Sequence, residues 1–237
     1  MHGIHQIFLN MIKQIKNVLI VAPHADDEIL GCGGFISKYS KKNYKINVLI
    51  LTNANLGAPE IYSSNEIIKI RNESKKANKI IGTHKIFYEN LPALNLNNFP
   101  HYKISNMIEK YINIIEPEIV FIPSSNDIND DHKIIFKTSK VAMRTKKNNS
   151  IKKIYSYEVL SETEWNEDEK SFNPNYFISL NKSDINRKVR AFSEYKSQIK
   201  SYPHPRSKDG IINLSKVRGS QVHMNYAEAF KVEKILD

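Results

Sequence analysis

Along the first half of the chain the hydrophobic pattern switches between two periods. Four short apolar, β-branched runs recur: Val18-Leu19-Ile20-Val21, Ile46 through Leu51, Lys85 through Tyr88, and Glu118 through Ile122. Continuous apolar runs of this length suit strands covered on both faces of a parallel sheet. Between them the spacing becomes helical. Ile104, Met107, Ile108, Tyr111, Ile112 and Ile115 fall on one stripe of a helix. Asn65 to Ile81 reads as another helix, with Gly82 where a C-terminal cap belongs.

The second half is less regular. Ile154 through Leu160 and Tyr176 through Leu180 are expected strands, and Ser183 to Ile199 an expected helix with Ser183 at its cap. Ser201 to Gln221 is polar, carries Pro203, Pro205, Gly210 and Gly219, and reads as a loop. At the start, Ile7-Phe8-Leu9 and Met11-Ile12, broken by Asn10 and followed by Lys13, suit a short amphipathic lead-in helix within Met1 to Lys16. No repeat or long linker divides the chain. The expected fold is therefore α/β: a single Rossmann-like domain over residues 1–237, with a doubly wound, mostly parallel sheet, helices on both faces and right-handed crossovers.

Composition narrows the function classes. With 41% apolar and 25% charged residues the chain is ordinary for a soluble protein. No apolar run reaches the roughly 18–20 residues of a membrane span, and the N-terminal stretch is too short and interrupted for a secretory signal. The single cysteine, Cys32, excludes an intrachain disulfide and fits a reducing compartment, so a cytoplasmic location is expected. The net charge of +10 comes from 35 basic residues, of which only six are Arg, spread over most of the chain. Without Arg clusters or interleaved aromatics this is a solvated Lys-rich surface, not a nucleic-acid footprint. It can still attract an anionic substrate such as a nucleotide sugar. Assembly into a homo-oligomer is left open.

Two polar segments carry candidate chemistry. The first, Pro23-His24-Ala25-Asp26-Asp27-Glu28, directly follows the first apolar run. In a doubly wound sheet, ligands bind beyond the carboxyl ends of strands. Acidic residues here can cap a helix N-terminus, or they can surround a divalent ion. The preceding His and the buried strand favour the ion, because grouped charges are costly to bury without a partner. His24 and Asp27 are three residues apart and can point at one centre, leaving Asp26 beside it as a base for a water. Gly31-Cys32-Gly33-Gly34 lacks the spacing of a dinucleotide fingerprint, and Cys32 reads as a small packed residue. The second segment, Ser124 to His132, follows the fourth run and can face the first. It supplies His132 as a third ligand, with Asp127 or Asp131 able to orient the imidazole.

With these residues in place, the chain resembles the PIG-L/LmbE-like deacetylases. Strand-P-H-A-D-D-E-x-L-G-C-G-G is very similar to that family's opening signature. The resemblance implies zinc, or another divalent metal, on His24, Asp27 and His132, with Asp26 as general base. The later family motif, D-x-H-x-D-H, reads here Asp127-Ile128-Asn129-Asp130-Asp131-His132, so Asn129 replaces a His that in some relatives binds substrate or stabilises the oxyanion. An Asn can donate a hydrogen bond but cannot act as an acid, and His204 or His223 are candidates for that helper. Lys188-x-x-Ala191-x-x-x-Tyr195-x-Ser197-Gln198, His204-Pro205-Arg206-Ser207, Arg218-Gly219 and Ala227-Glu228-Ala229-Phe230 extend the similarity over nearly the whole chain. Arg71, Asn129, His204, Arg206, Arg218 and His223 are the expected substrate-binding residues, and Glu228 is read as structural. The implied activity is hydrolysis of an N-acetyl group from an amino sugar or sugar conjugate. Amide hydrolysis of a non-sugar metabolite and a non-catalytic nucleotide- or polyanion-binding module are the alternatives.

Overall fold

A computed structural model describes residues 16–144, 150–166 and 171–236; the expected lead-in helix lies outside them apart from Lys16. Seven strands form one sheet: β1 (Lys16–Ala22), β2 (Tyr44–Asn53), β3 (Lys85–Pro92), β4 (Ile119–Pro123), β5 (Lys153–Tyr157), β6 (Tyr176–Ser179) and β7 (Ala227–Ile235), in the order β3-β2-β1-β4-β5-β7-β6. β3, β2, β1, β4 and β5 run parallel, whereas β7 pairs antiparallel with both β5 and β6. The helices are α1 (Asp27–Tyr39), α2 (Ala54–Gly57), α3 (Ser64–Ile81), α4 (His101–Ile115), α5 (Asp130–Ala142), α6 (Lys182–Phe192) and α7 (Lys208–Ser220).

The strand period of two explains why the run Val18-Leu19-Ile20-Val21 shows no polar alternate. On β1, Val18, Ile20 and Ala22 join a core with α1, α3, α6 and α7, while Leu19 and Val21 join a second core with α4 and α5. Both faces are covered, as a doubly wound sheet requires. The stripe on α4 buries Ile104, Ile108, Tyr111, Ile112 and Ile115. Each such isoleucine contributes about 1.5–3 kcal/mol on leaving water. α3 begins in a capping box between Ser63 and Glu66 and ends at Gly82, whose φ of 96° suits its left-handed cap.

Three expectations in the second half need correction. β5 stops at Tyr157, and residues 158–162 form a loop instead of continuing the strand. α6 is capped by Asn181, whose side chain accepts from the Asp184 amide, and it ends at Phe192, well short of Ile199. The polar stretch from Ser201 contains α7. Its glycines are there for close packing, not for breaking the helix: a Cβ on Gly210 would lie 2.0 Å from the Pro205 carbonyl oxygen, and one on Gly219 2.5 Å from that of Met224.

Residues of the late helix and last strand fasten α1, the helix that opens with Asp27. The Glu228 carboxylate accepts from the Gly34 and Phe35 amides at 2.8 and 2.6 Å and from Lys188 Nζ at 2.7 Å. Lys188 Nζ also donates to the Leu30 carbonyl. Among the described residues, no helix is long and apolar enough to cross a membrane.

Candidate metal centre and active site

β1 and β4 are neighbours, and the chain leaves their shared carboxyl end in two loops, 23–26 and 124–129. This is the point where the strand order reverses, the place at which open α/β sheets bind ligands. At the first loop Asp26 sits at the N-cap position of α1 with φ 130°, a conformation costly for a non-glycine residue, and its side chain makes no capping bond. Glu28 holds the turn. It is buried, accepts from the Asp26 amide at 3.0 Å and from Asn78 Nδ2 at 2.7 Å, and receives the Tyr195 hydroxyl. At the second loop Asn129 caps α5, accepting from the Asp131 amide at 3.0 Å.

The two loops bring His24, Asp27 and His132 together. His24 Nδ1 lies 3.4 Å from Asp27 Oδ2, His132 Nε2 lies 3.2 Å from the same oxygen, and the two ring nitrogens are 3.3 Å apart. Donors about 2.0–2.2 Å from a tetrahedral zinc stand about 3.3–3.6 Å from one another, so the triangle has the size such an ion needs. The second carboxylates fit as well. Asp131 Oδ2 is 3.0 Å from His24 Nε2, and Asp127 Oδ2 is 3.1 Å from His132 Nδ1. A proton held at each outer nitrogen leaves both inner nitrogens as lone pairs facing Asp27, an arrangement that a cation stabilises. Asp27 Oδ1 is buried with no hydrogen-bond partner among the described residues. The residues therefore fit a divalent metal. Asp127, not Asp131, orients His132; Asp131 serves His24.

The electrostatics follow the same geometry. For Asp27, burial opposes ionisation, but the charge and hydrogen bond of His132, with those of His24, hold its carboxyl well below the usual range. For His24, burial opposes the charge, yet the bonds to Asp131 and Asp27 push its pKa up to about 9. Burial raises Asp26 well above an ordinary carboxyl; Arg206 pulls it down, and the charges of Asp27, Glu162 and Glu28 push it up again. A carboxyl raised toward neutrality is suited to taking up and releasing a proton.

Asp27 and His132 are fully buried, while His24 and Asp26 reach the floor of a cavity of about 170 Å³. Its lining includes the polar residues Arg71, Asn129, Glu162, Gln198 and Arg206 and the apolar or aromatic residues Tyr62, Ile67, Ile70 and Leu94. Arg71 Nη2 donates to the Glu89 carbonyl and to Asn90 Oδ1 at 2.8 and 2.7 Å, and the guanidinium lies 5.3 Å from the centre of the Tyr88 ring.

The structure does not bring His204, Arg218 or His223 into this cavity. His204 is exposed and accepts the Arg206 amide on Nδ1. Arg218 is spent on a two-bond ion pair with Glu158, at 2.8 and 2.6 Å. His223 is exposed at φ 57° in the turn before β7. Glu162 is a cavity residue that the sequence did not single out, and Gln198, which the sequence marked only as part of the late motif, lines the cavity too. Glu162 had one available signal: it lies just past the carboxyl end of β5, the parallel neighbour of β4.

A fold and a site of this kind define a class, and the model of the PIG-L family, GlcNAc-PI de-N-acetylase, matches residues 19–143. The chain belongs to that family. It is similar to the uncharacterized deacetylase YaiS of Escherichia coli strain K12, at 28% identity over 197 residues, covering 80% of this chain and 95% of the relative. Among solved structures, the N,N'-diacetylchitobiose deacetylase of Pyrococcus horikoshii aligns with a TM-score of 0.74 at 20% identity, covering 94% of this chain and 85% of that one. GalB, the 4-carboxy-2-hydroxymuconate hydratase of Pseudomonas putida KT2440, aligns with a TM-score of 0.72 at 17% identity, covering 94% and 98%. The fold thus occurs in proteins named for two different reactions, and the choice between them rests on the site.

Proposed function

We propose that this chain is a metal-dependent N-deacetylase that hydrolyses the N-acetyl group of an amino sugar or sugar conjugate to acetate and a free amine. The observation that carries the reading is the triangle of His24, Asp27 and His132, of which His24 lines the cavity, with Asp26 lining the same cavity. Membership of the PIG-L family and the relatives named as deacetylases support it. His24, Asp27 and His132 would hold zinc, or another divalent ion, which when bound polarises an acyl carbonyl and makes water acidic enough to ionise near neutral pH.

The chain's own groups do the rest. Asp26 takes the proton from the attacking water and returns it to the leaving nitrogen, since Asn129 cannot carry one. Asn129 donates from Nδ2 toward the developing oxyanion; its Oδ1 is engaged by the Asp131 amide, which fixes the orientation of the amide group. Arg71 faces the cavity with no carboxylate paired to it among the described residues, and it binds a sugar hydroxyl or an anionic substituent. His204, Arg218 and His223 have no part in this proposal. The whole chain acts as one unit, and the buried free thiol of Cys32 suits a reducing, cytoplasmic setting.

The test is acetate release from N-acetylglucosamine, its β-1,4-linked dimer, UDP-N-acetylglucosamine and a non-sugar N-acetyl amine, before and after chelation and with zinc restored. Chelation should abolish release and zinc should recover it. Asp26→Asn should keep the metal and lose about 10²–10⁴ in turnover. Full activity after complete metal removal, or in Asp26→Asn, would contradict the proposal.

A further inference from the structure

Arg206 was expected to grip substrate, but the structure leaves it little with which to do so. Its Nε donates to the Leu160 carbonyl at 3.2 Å. Nη1 donates to Asp26 Oδ2 at 3.3 Å and to Gln198 Oε1 at 3.2 Å, and Nη2 donates to Glu162 Oε1 at 2.5 Å. The side chain is 14% exposed. Four of its five N–H groups are therefore committed within the protein.

What those bonds hold is informative. Among the described residues, Arg206 is the one hydrogen-bonding partner of the Asp26 carboxylate, whose backbone is in the strained conformation already noted. The guanidinium takes one oxygen, Oδ2, and leaves Oδ1 for another partner. It treats Glu162 the same way. Oε1 is taken, while Oε2 lies 3.2 Å from His132 Nε2 and 3.5 Å from Asn129 Nδ2, on the wall of the cavity. One planar group thus holds two carboxylates of the cavity lining, each by a single oxygen. A lysine could not do this, because an ammonium is a point charge without a fork.

We propose that Arg206 is a positioning residue that fixes Asp26 and Glu162 relative to each other, and that Glu162, through Oε2, is a further substrate-contacting residue that accepts a hydrogen bond from the substrate's N–H or a neighbouring hydroxyl. The inference rests on the reading of Asp26 as the base. It differs from that reading in what it assigns to Arg206, which acts through the two carboxylates and not on the substrate.

The experiment pairs kinetics with crystallography on the full-length protein. With any of the N-acetyl sugars that wild type cleaves, Arg206→Ala should lose on the order of 10²-fold in kcat with KM little changed, the loss expected from displacing a reacting group by about 1 Å. Guanidinium ion added at millimolar levels should restore part of the activity of Arg206→Ala and none of that of Asp26→Asn. Arg206→Lys, which keeps the charge if the alanine variant does not fold, should also lose kcat. Glu162→Gln should raise KM for the same probe. Crystals of Arg206→Ala should show the Asp26 carboxylate turned away from its wild-type position. A rise in KM with unchanged kcat in the Arg206 variants would overturn the inference. So would Asp26 and Glu162 in their wild-type positions in those crystals, whatever the kinetics. A wild-type protein that cleaves none of the probes counts against the deacetylase reading instead, and the crystal result still decides this one.

Discussion

Asp127→Asn is the sharpest perturbation of the metal reading, because it changes one atom at a carboxylate whose two oxygens are both engaged. The Asp127 carboxylate is fully buried and receives three donors: His132 Nδ1 at 3.1 Å and Thr163 Oγ1 at 2.7 Å on Oδ2, and the Asn129 amide at 2.9 Å on Oδ1. An asparagine has one acceptor oxygen and one NH₂ for the same positions. If its oxygen faces His132, the NH₂ meets the Asn129 N–H and the loop before α5 must open. If its oxygen faces Asn129, the NH₂ meets His132 Nδ1, and the imidazole must carry its proton on Nε2, the nitrogen that faces Asp27. Either way one hydrogen bond to a charged group is lost, about 1.5–3 kcal/mol. The second arrangement also removes a metal ligand's lone pair, and disturbing such an outer partner typically weakens metal binding about 10–100-fold. Zinc affinity measured by competition with a chromophoric chelator should fall by that factor. The metal-free protein should melt lower by about 2–4 °C for each kcal/mol lost. A folded Asp127→Asn protein with zinc affinity within about twofold of wild type would refute the tautomer argument, since the factor expected from the lost partner is at least about tenfold.

Two further outcomes follow from the structure. His24 is raised from 6.5 to about 9 in the metal-free protein, so its contribution to stability is fully present below pH 6.5 and is lost as pH rises through 9. Zinc must displace that proton, so the upward shift in melting temperature on adding zinc should grow between pH 6.5 and 9; a shift that shrinks with pH would contradict this. Gly31→Ala would place a Cβ 2.2 Å from Tyr157 Cδ2, against a buried ring whose hydroxyl is tied to the Val21 carbonyl at 2.8 Å. It should cost about 1–3 kcal/mol in a thermal melt, and an unchanged melting temperature would show that the α1–β5 packing can yield.

Much of the architecture was legible along the chain because burial has a local signature. A strand covered on both faces is apolar nearly throughout, and the runs at Val18, Ile46 and Glu118 said so, whereas the Lys85 run proved to be the partly exposed edge strand β3; a helix packed on one side must repeat every 3.6 residues, and α4 did. Recognition of the opening motif likewise needed only contiguous residues, Pro23 to Glu28. The irregular second half was harder, because α7 has glycines whose purpose is close approach to Pro205 and Met224, partners that no local pattern reveals. The distribution of roles around the site was decided by tertiary structure alone. His132 is served by Asp127 and His24 by Asp131, although Asp131 adjoins His132 in sequence. Arg206 is consumed by Asp26 and Glu162, from loops 180 and 44 residues away. Periodicity records which side of an element is dry, but which donor meets which acceptor depends on strand order, register and loop course. Those are settled only when the two halves of the chain pack together.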